Sequence, residues 1–386
     1  MHIGLIIKDY AIGEKFSKNG IPTKSGAEFH AEHHAKALIA LGHKVTIFAK
    51  KRSFSAKSTE VIDGVHLVRL HEPFRGGELF LRLMTTHRDI DTFYILGRPA
   101  FAVWAILYSR VFHKPATLAL TGIAESFDPH ESWRNRVFTK CSQYLAISRA
   151  IQSSFVERSG IFKEKVIVQP QGLDTVHYAQ VTDAQKRKLR KEHRLPEDAL
   201  VLLFCARVVL NKGTDTLETA WKRIHAKFPQ ARLLIVGGGQ KDLLQEMQLL
   251  SKTLGNSIVV VGEVSDTCPY YQLSDVYIFP SRHEGLPNTL MEAMSTGLPA
   301  VASNIGGCED LIEAGENGYL VATEDPDAFA EKVELLFSDD SLRKRLGTTA
   351  ADFVRKHLDI KDVVRELEEV LSRPFSLERK GVNHVV

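Results

Sequence analysis

Strand-like and helix-like segments alternate along the whole 386-residue chain, and the second half restates the pattern of the first. IGLII (3–7) reads as a strand, GAEFHAEHHAKALIALG (26–42) as a helix closing at Gly42, and HKVTIFA (43–49) as the next strand. Further on, ALVLLFCAR (199–207), DTLETAWKRIHAKF (215–228) and ARLLIVGGG (231–239) repeat strand, helix and strand. Strands joined through helices run parallel, because a parallel pair needs a long crossover, and the crossovers then cover the sheet. No short repeat period accompanies the pattern, so a solenoid is excluded.

A chain of this length exceeds one ordinary core. The rhythm weakens around Pro170 and Gly172 and then restarts. The expected class is therefore α/β, with two Rossmann-like doubly wound domains facing across a cleft. The first is expected over 1–175 and the second over 176–357, with a helix and polar tail over 358–386.

A net charge of +3 is too small to indicate nucleic acid, though it suits an anionic small molecule or a weak membrane contact. Four scattered cysteines, at 141, 205, 268 and 308, form no CxxC pair, which fits a reducing cytoplasm rather than a disulfide framework or zinc site. The opening MHIGLIIKDY is too short an apolar run for a signal peptide, and Asp9 interrupts it. AFAVWAILYSRVF (100–112) is shorter than a membrane span and reads as a buried crossover helix, with a membrane-lying helix as the alternative. The six basic residues of QKRKLRKEHR (185–194) read as a solvated helix face, or as attraction to an acidic membrane surface.

Ligands of doubly wound sheets sit beyond the carboxyl ends of the strands, so the loops there carry the chemistry. Arg207 and Lys212-Gly213, just past a strand, suit a diphosphate. The run beginning at Gly237 is no dinucleotide fingerprint, because Asp242 stands where a third glycine is required; the turn either lets the chain pass a ligand or is purely structural. Lys24-Ser25-Gly26-Ala27-Glu28 leads into a helix whose N-terminus is an anion site, a capped end, or both. His30 and His34 with Glu32 give HxEHH rather than HExxH, so no metal site is expected.

HEGLPNTLMEAM (283–294) carries two glutamates eight positions apart. Pro287 fits the first helical position, which leaves Glu284 in the loop beside the helix N–H groups. Leu290, Ala293 and Met294 form the sheet-facing side, and Glu292 lies roughly opposite, so on geometry alone it faces solvent. Two carboxylates on one strand–loop–helix unit approach from the same side, unlike a glycosidase pair, and fit one ligand gripped along its length.

Six stretches, SGAEFHAEHHAKALIALGHKV, QPQGLD, ARVVLNKG, VVVGEVSD, LSDVYIFPSRHEGLPNTLMEAMSTGLPAVAS and GENGYLV, give the chain its resemblance to a known family. They resemble the retaining GT-B-fold glycosyltransferases of family 4, marked by an E-x7-E motif. The resemblance implies an N-terminal acceptor-binding domain, a C-terminal nucleotide-sugar-binding domain, and a final helix that crosses back to the first. It gives Arg207 and Lys212 the donor diphosphate, Glu284 the donor sugar and Glu292 the ribose hydroxyls. It places Gly285 and the amides of Leu286, Asn288 and Thr289 at phosphate or sugar oxygens, Val264 along the base, Gly26 near the diphosphate, and Gly237 in the donor-side turn. It implies no metal and no other cofactor, since cationic side chains and helix dipoles take the metal's place.

Many members carry a His-Gly pair where this chain reads Thr121-Gly122, so Thr121 and the nearby His130 are the acceptor-side candidates. Pro170-Gln171-Gly172 stands for Pro-Asn-Gly, and Ser25-Gly26 for Gly-Gly. The expected function is a cytoplasmic, metal-independent hexosyltransferase in polysaccharide or glycoconjugate biosynthesis, with a peripheral contact at the inner membrane face. The donor is a UDP- or GDP-sugar, and the acceptor is a sugar, lipid-linked or small-molecule hydroxyl. A GT-B epimerase or phosphorylase, or a non-catalytic sugar-nucleotide-binding subunit, is the alternative.

Overall fold

The computed structural model describes residues 1–10, 26–52, 56–122 and 127–374. The stretch 8–25 lies almost wholly outside them, as do Lys24 and Ser25 of the expected anion site or helix cap. The chain divides into two units: Met1–Gly172 with Ile360–Val386, and Leu173–Asp359.

The first unit holds an eight-stranded sheet. Its strands are β1 (His2–Ile6), β2 (Lys44–Lys50), β3 (Thr59–Ile62), β4 (Val65–Leu70), β5 (Thr92–Leu96), β6 (Ala116–Leu120), β7 (Gln143–Ala146) and β8 (Val166–Val168). Their order is β3-β4-β2-β1-β5-β6-β7-β8, parallel except where β3 meets β4. β1, β5 and β6 are buried along their whole length, the continuous apolar pattern of a sheet covered on both faces. Helix Ile360–Ser372 belongs to this unit and sets Val364, Leu367, Val370 and Leu371 in its core. Gln143 and Gln169 fasten it through their side-chain amides to the Val370 and Val363 carbonyls, at 3.1 and 3.0 Å.

The second unit holds β9 (Val201–Cys205), β10 (Arg232–Val236), β11 (Ile258–Gly262), β12 (Val276–Phe279), β13 (Ala300–Ser303) and β14 (Gly318–Val321). All pairs are parallel, in the order β11-β10-β9-β12-β13-β14. The chain winds outward from β9 to β11, then restarts at β12 on the other side. The switch point lies between β9 and β12, and ligands of such sheets bind beyond the carboxyl ends of the strands there.

Two sequence expectations change here. The basic stretch 185–194 is not simply a wet face. Helix Asp183–Glu192 starts at a capping box between Thr182 and Gln185 and buries Arg190, whose guanidinium bonds the Leu273 and Glu197 carbonyls and Asp275. Lys186 also pairs with Asp275, at 2.7 Å. The segment 100–112 is a helix over Ala102–Val111 buried on one side only, with Trp104, Leu107 and Val111 exposed on the other.

Candidate functional site

The loops after β9 and β12 meet at the switch point. Close backbone packing holds them there. Gly213, at φ +71°, sits so near β12 that a Cβ would lie 2.0 Å from the Pro280 carbonyl oxygen. Only glycine suits both the left-handed backbone and that gap. Arg282 ties the same loops together, its guanidinium 2.7 Å from Asp215 and 2.6 Å from Glu324. The Arg282 amide donates to the Asn211 carbonyl at 3.0 Å.

This brings Lys212 and Glu284 together as an ion pair, with both side chains largely sheltered. Ser281 donates its hydroxyl to Glu284 Oε1 at 3.0 Å. Arg207 lies exposed at the end of β9. The carboxylate is thus held by two donors, and two cations stand at one strand end, an arrangement that can receive an anion and present one oxygen-rich group beside it.

The helix that follows spans Asn288–Ser295, with Pro287 as its N-cap rather than its first helical residue. Pro287 has ψ 111°, extended rather than helical, which moves the start one residue on. The Thr289 N–H lies in the first turn, at the positive end of the helix dipole, while that of Leu290 is already bonded to the Pro287 carbonyl at 3.2 Å. Gly285 and the buried Leu286 lead into this turn. Gly307 packs on them: a Cβ there would lie 2.2 Å from the Gly285 carbonyl oxygen.

Glu292 corrects the solvent-facing expectation. It is only 7% exposed, and its Oε2 accepts from the Tyr271 hydroxyl at 2.8 Å. Leu290, Met291, Ala293, Met294 and Ser295 are buried around it, so this helix has no wet face along its second half. Burial pushes the Glu292 carboxyl up to about 7, against hydrogen bonds from Tyr271 and Tyr178 that pull it down. A carboxyl so placed is poised between acceptor and donor at neutral pH.

The glycine run reads as close packing against the β9 loop. Cβ atoms at Gly237 and Gly239 would lie 2.1 and 2.2 Å from the Ala206 and Val208 carbonyl oxygens. Val264, partly exposed, follows β11 in the next loop. Ser281 and Tyr271 were missed in the sequence. Ser281 had a signal, standing three residues before Glu284 as in a capping box; Tyr271 had none. A polar cavity of about 400 Å³ at the opposite, amino end of β12 is lined by Lys186, Arg190 and Arg343, each already paired with an aspartate.

In the first unit, Thr121 and Gly122 line a cavity of about 320 Å³ with Gly97, Arg98, Leu120, Phe127 and Phe155, at the carboxyl ends of β5 and β6. The Arg98 guanidinium lies 5.0 Å over the Phe127 ring, and burial lowers its pKa. His130 is not in this lining; it is exposed, its amide bonded to Asp128 at 2.6 Å. Gly26 opens the first helix and is exposed. His30 and His34 bond each other at 3.2 Å and the Tyr94 hydroxyl at 3.4 and 3.2 Å, an internal network rather than a ligand set.

Family models for glycosyl transferases group 1 and for glycosyltransferase family 4 match residues 185–353 and 24–177. The chain belongs to the GT-B glycosyltransferases of family 4. The chain is 28% identical to the capsular polysaccharide biosynthesis glycosyltransferase CapM of Staphylococcus aureus, over 61% of its own length and 63% of CapM. It is 28% identical to the D-inositol 3-phosphate glycosyltransferase of Xylanimonas cellulosilytica, over 86% of its own length and 88% of that protein. Its fold matches the crystal structure of Anabaena HepE in complex with UDP at a TM-score of 0.78 and 20% identity, covering 96% of this chain and 100% of that one.

Proposed function

We propose that this glycosyltransferase moves a hexose-type unit from a UDP- or GDP-sugar to an acceptor hydroxyl, with retention at the anomeric carbon, without a metal, in glycan biosynthesis. The observation that carries the reading is the Lys212–Glu284 pair at the β9/β12 switch point, with Arg207 in the same loop after β9. The glycosidic C–O bond breaks with its electrons going to the diphosphate, whose charge Arg207, Lys212 and the amides of Leu286, Asn288 and Thr289 receive. Glu284 contacts the sugar, Glu292 the ribose hydroxyls, and Gly237 and Val264 flank the nucleotide. The departing phosphate takes the acceptor's proton on the same face, so no separate protein base is needed. The acceptor side is assigned to the first unit, at the cavity lined by Thr121. HepE has been crystallised with UDP and with UDP-glucose, and CapM is named for capsular polysaccharide synthesis, which supports this donor class and setting.

Melting the protein with a panel of nucleotide sugars and excess chelator tests the donor, since a ligand of the native state raises the midpoint. One base should raise it, and the product made from that donor should keep the donor's anomeric configuration. A panel with no shift, or an inverted product, would overturn the reading.

A further inference from the structure

We propose that Tyr271 and Tyr178 are positioning residues: their phenols hold the Glu292 carboxylate in the orientation that receives both hydroxyls of a ribose, and so set how strongly the protein prefers a ribonucleotide. The inference rests on the assignment of the ribose to Glu292 proposed above.

Glu292 is enclosed in helix Asn288–Ser295, and among the described residues no lysine or arginine pairs with it. An ionised carboxylate in such a place requires hydrogen-bond donors, since an uncompensated buried charge is costly. The donors are phenols. Tyr271 donates to Glu292 Oε2 at 2.8 Å, and Tyr178 supplies a second hydrogen bond. Burial raises both phenols far above their ordinary pKa, so each stays a donor throughout the neutral range. An ionised carboxylate has about four acceptor sites. Two phenols leave a pair of sites open, which is what a vicinal diol fills. An arginine in their place would take both oxygens in a bidentate pair and leave less for a ligand.

The phenols are themselves fixed. Tyr271 belongs to helix Cys268–Leu273, is fully buried, and lies against the rings of Tyr178 and Tyr277 at 6.1 and 5.9 Å. Tyr277 is anchored in turn, its hydroxyl donating to the Cys205 carbonyl at the end of β9, at 3.2 Å. The Tyr178 carbonyl accepts from the Ser295 hydroxyl at 2.8 Å, three residues beyond Glu292 on the same helix. The Tyr178 hydroxyl sits 3.3 Å from that of Thr267, which can donate to it and turn the phenolic proton toward Glu292. A carboxylate held by rings locked in packing has its geometry before the ligand arrives, and such preorganisation makes its hydrogen bonds discriminating. A purely structural network would satisfy the same buried carboxyl. The two roles differ in what nucleotide analogues read.

Calorimetric affinities of UDP and GDP, each against its dideoxy form, test the role at pH 8, above the value of about 7 to which burial raises Glu292. For the base that binds, the wild type should prefer the ribonucleotide by about ten- to a hundredfold, the scale of hydrogen bonds to a charged group. Tyr271→Phe and Tyr178→Phe keep the rings and remove one donor each. Each should narrow the ratio by about two- to tenfold, through weaker ribonucleotide binding with the dideoxy affinity unchanged. Lower melting midpoints with the wild-type ratio in both variants would overturn the inference and leave the ribose assignment standing. A wild type that binds neither diphosphate, or holds the dideoxy form as tightly, would remove the ribose assignment and this inference with it.

Discussion

Lys212 and Glu284 form an ion pair between the loops that follow β9 and β12, the neighbouring strands at which the second sheet reverses its winding. Seventy-two residues separate them in sequence. Glu284 also accepts from Ser281, so its carboxylate would keep one donor if Lys212 turned to a donor phosphate, as the proposed function has it. Replacement of Glu284 by Gln keeps the shape and one acceptor oxygen but removes the charge. In this variant UDP or GDP affinity by calorimetry should stay near wild type while kcat falls by about 10²–10³, the scale of one lost transition-state contact. Lys212→Ala should lower both quantities. Equal turnover in wild type and Glu284→Gln would remove that residue from the chemistry.

Gly307 should be intolerant for a reason of space alone. A methyl group there meets the Gly285 carbonyl and the Leu286 Cα, backbone that cannot move without shifting the Glu284 loop. Gly307→Ala should cost about 1–3 kcal/mol, the usual penalty of overpacking, and reduce turnover as well. Gly77→Ala is the control: it lies inside helix Arg75–Met84 with nothing within 4 Å of the added carbon, and should stabilise by about 1 kcal/mol. Urea midpoints of the two variants should move in opposite directions.

The parallel strands, the restart in the second half and the loop position of Glu284 were legible because each rests on local periodicity or on one residue's backbone preference. Strand order was not, since β9 beside β12 is a pairing of distant segments that no local pattern encodes. Glu292 was misplaced for a definite reason. The helical-wheel rule assumes one wet face, and helix Asn288–Ser295 is enclosed. Arg190 was misplaced by composition: one basic residue among six is consumed by two carbonyls and Asp275, which a charge count does not separate.

Glu292 gives a pH dependence with a definite sign. Its carboxyl is raised from 4.5 to about 7, so between these values the folded state holds a proton that the unfolded state has released. Stability therefore falls as pH rises from 4.5 to 7 and is level above, a change on the order of 3 kcal/mol at about 1.4 kcal/mol per pKa unit. Glu292→Gln lacks this slope, so the variant should gain on wild type as pH rises from 5 to 7. Tyr271→Phe removes a hydrogen bond that holds the pKa down and should move the wild-type inflection upward. Parallel stability curves for wild type and Glu292→Gln would contradict the assignment.

His34 works in the opposite direction. Its ring is buried, and burial lowers its pKa from 6.5 to about 4, while its Nε2 meets the Gln171 carbonyl at 2.8 Å. His30 beside it is lowered as well, by burial first. A depressed histidine contributes stability above its unfolded value, and that contribution is lost as pH falls from 6.5 toward 4, because the unfolded chain takes the proton first. For His34 the loss reaches about 2 kcal/mol by pH 5, at about 1.4 kcal/mol per unit. His34→Gln keeps a donor for the Gln171 carbonyl and removes the titration, so on going from pH 7 to pH 5 the variant should gain stability relative to the wild type, read as the difference between their urea midpoints. The Glu292 slope is present in both proteins and cancels in the difference. An acid sensitivity identical in the two would mean that His34 is not buried neutral against Gln171.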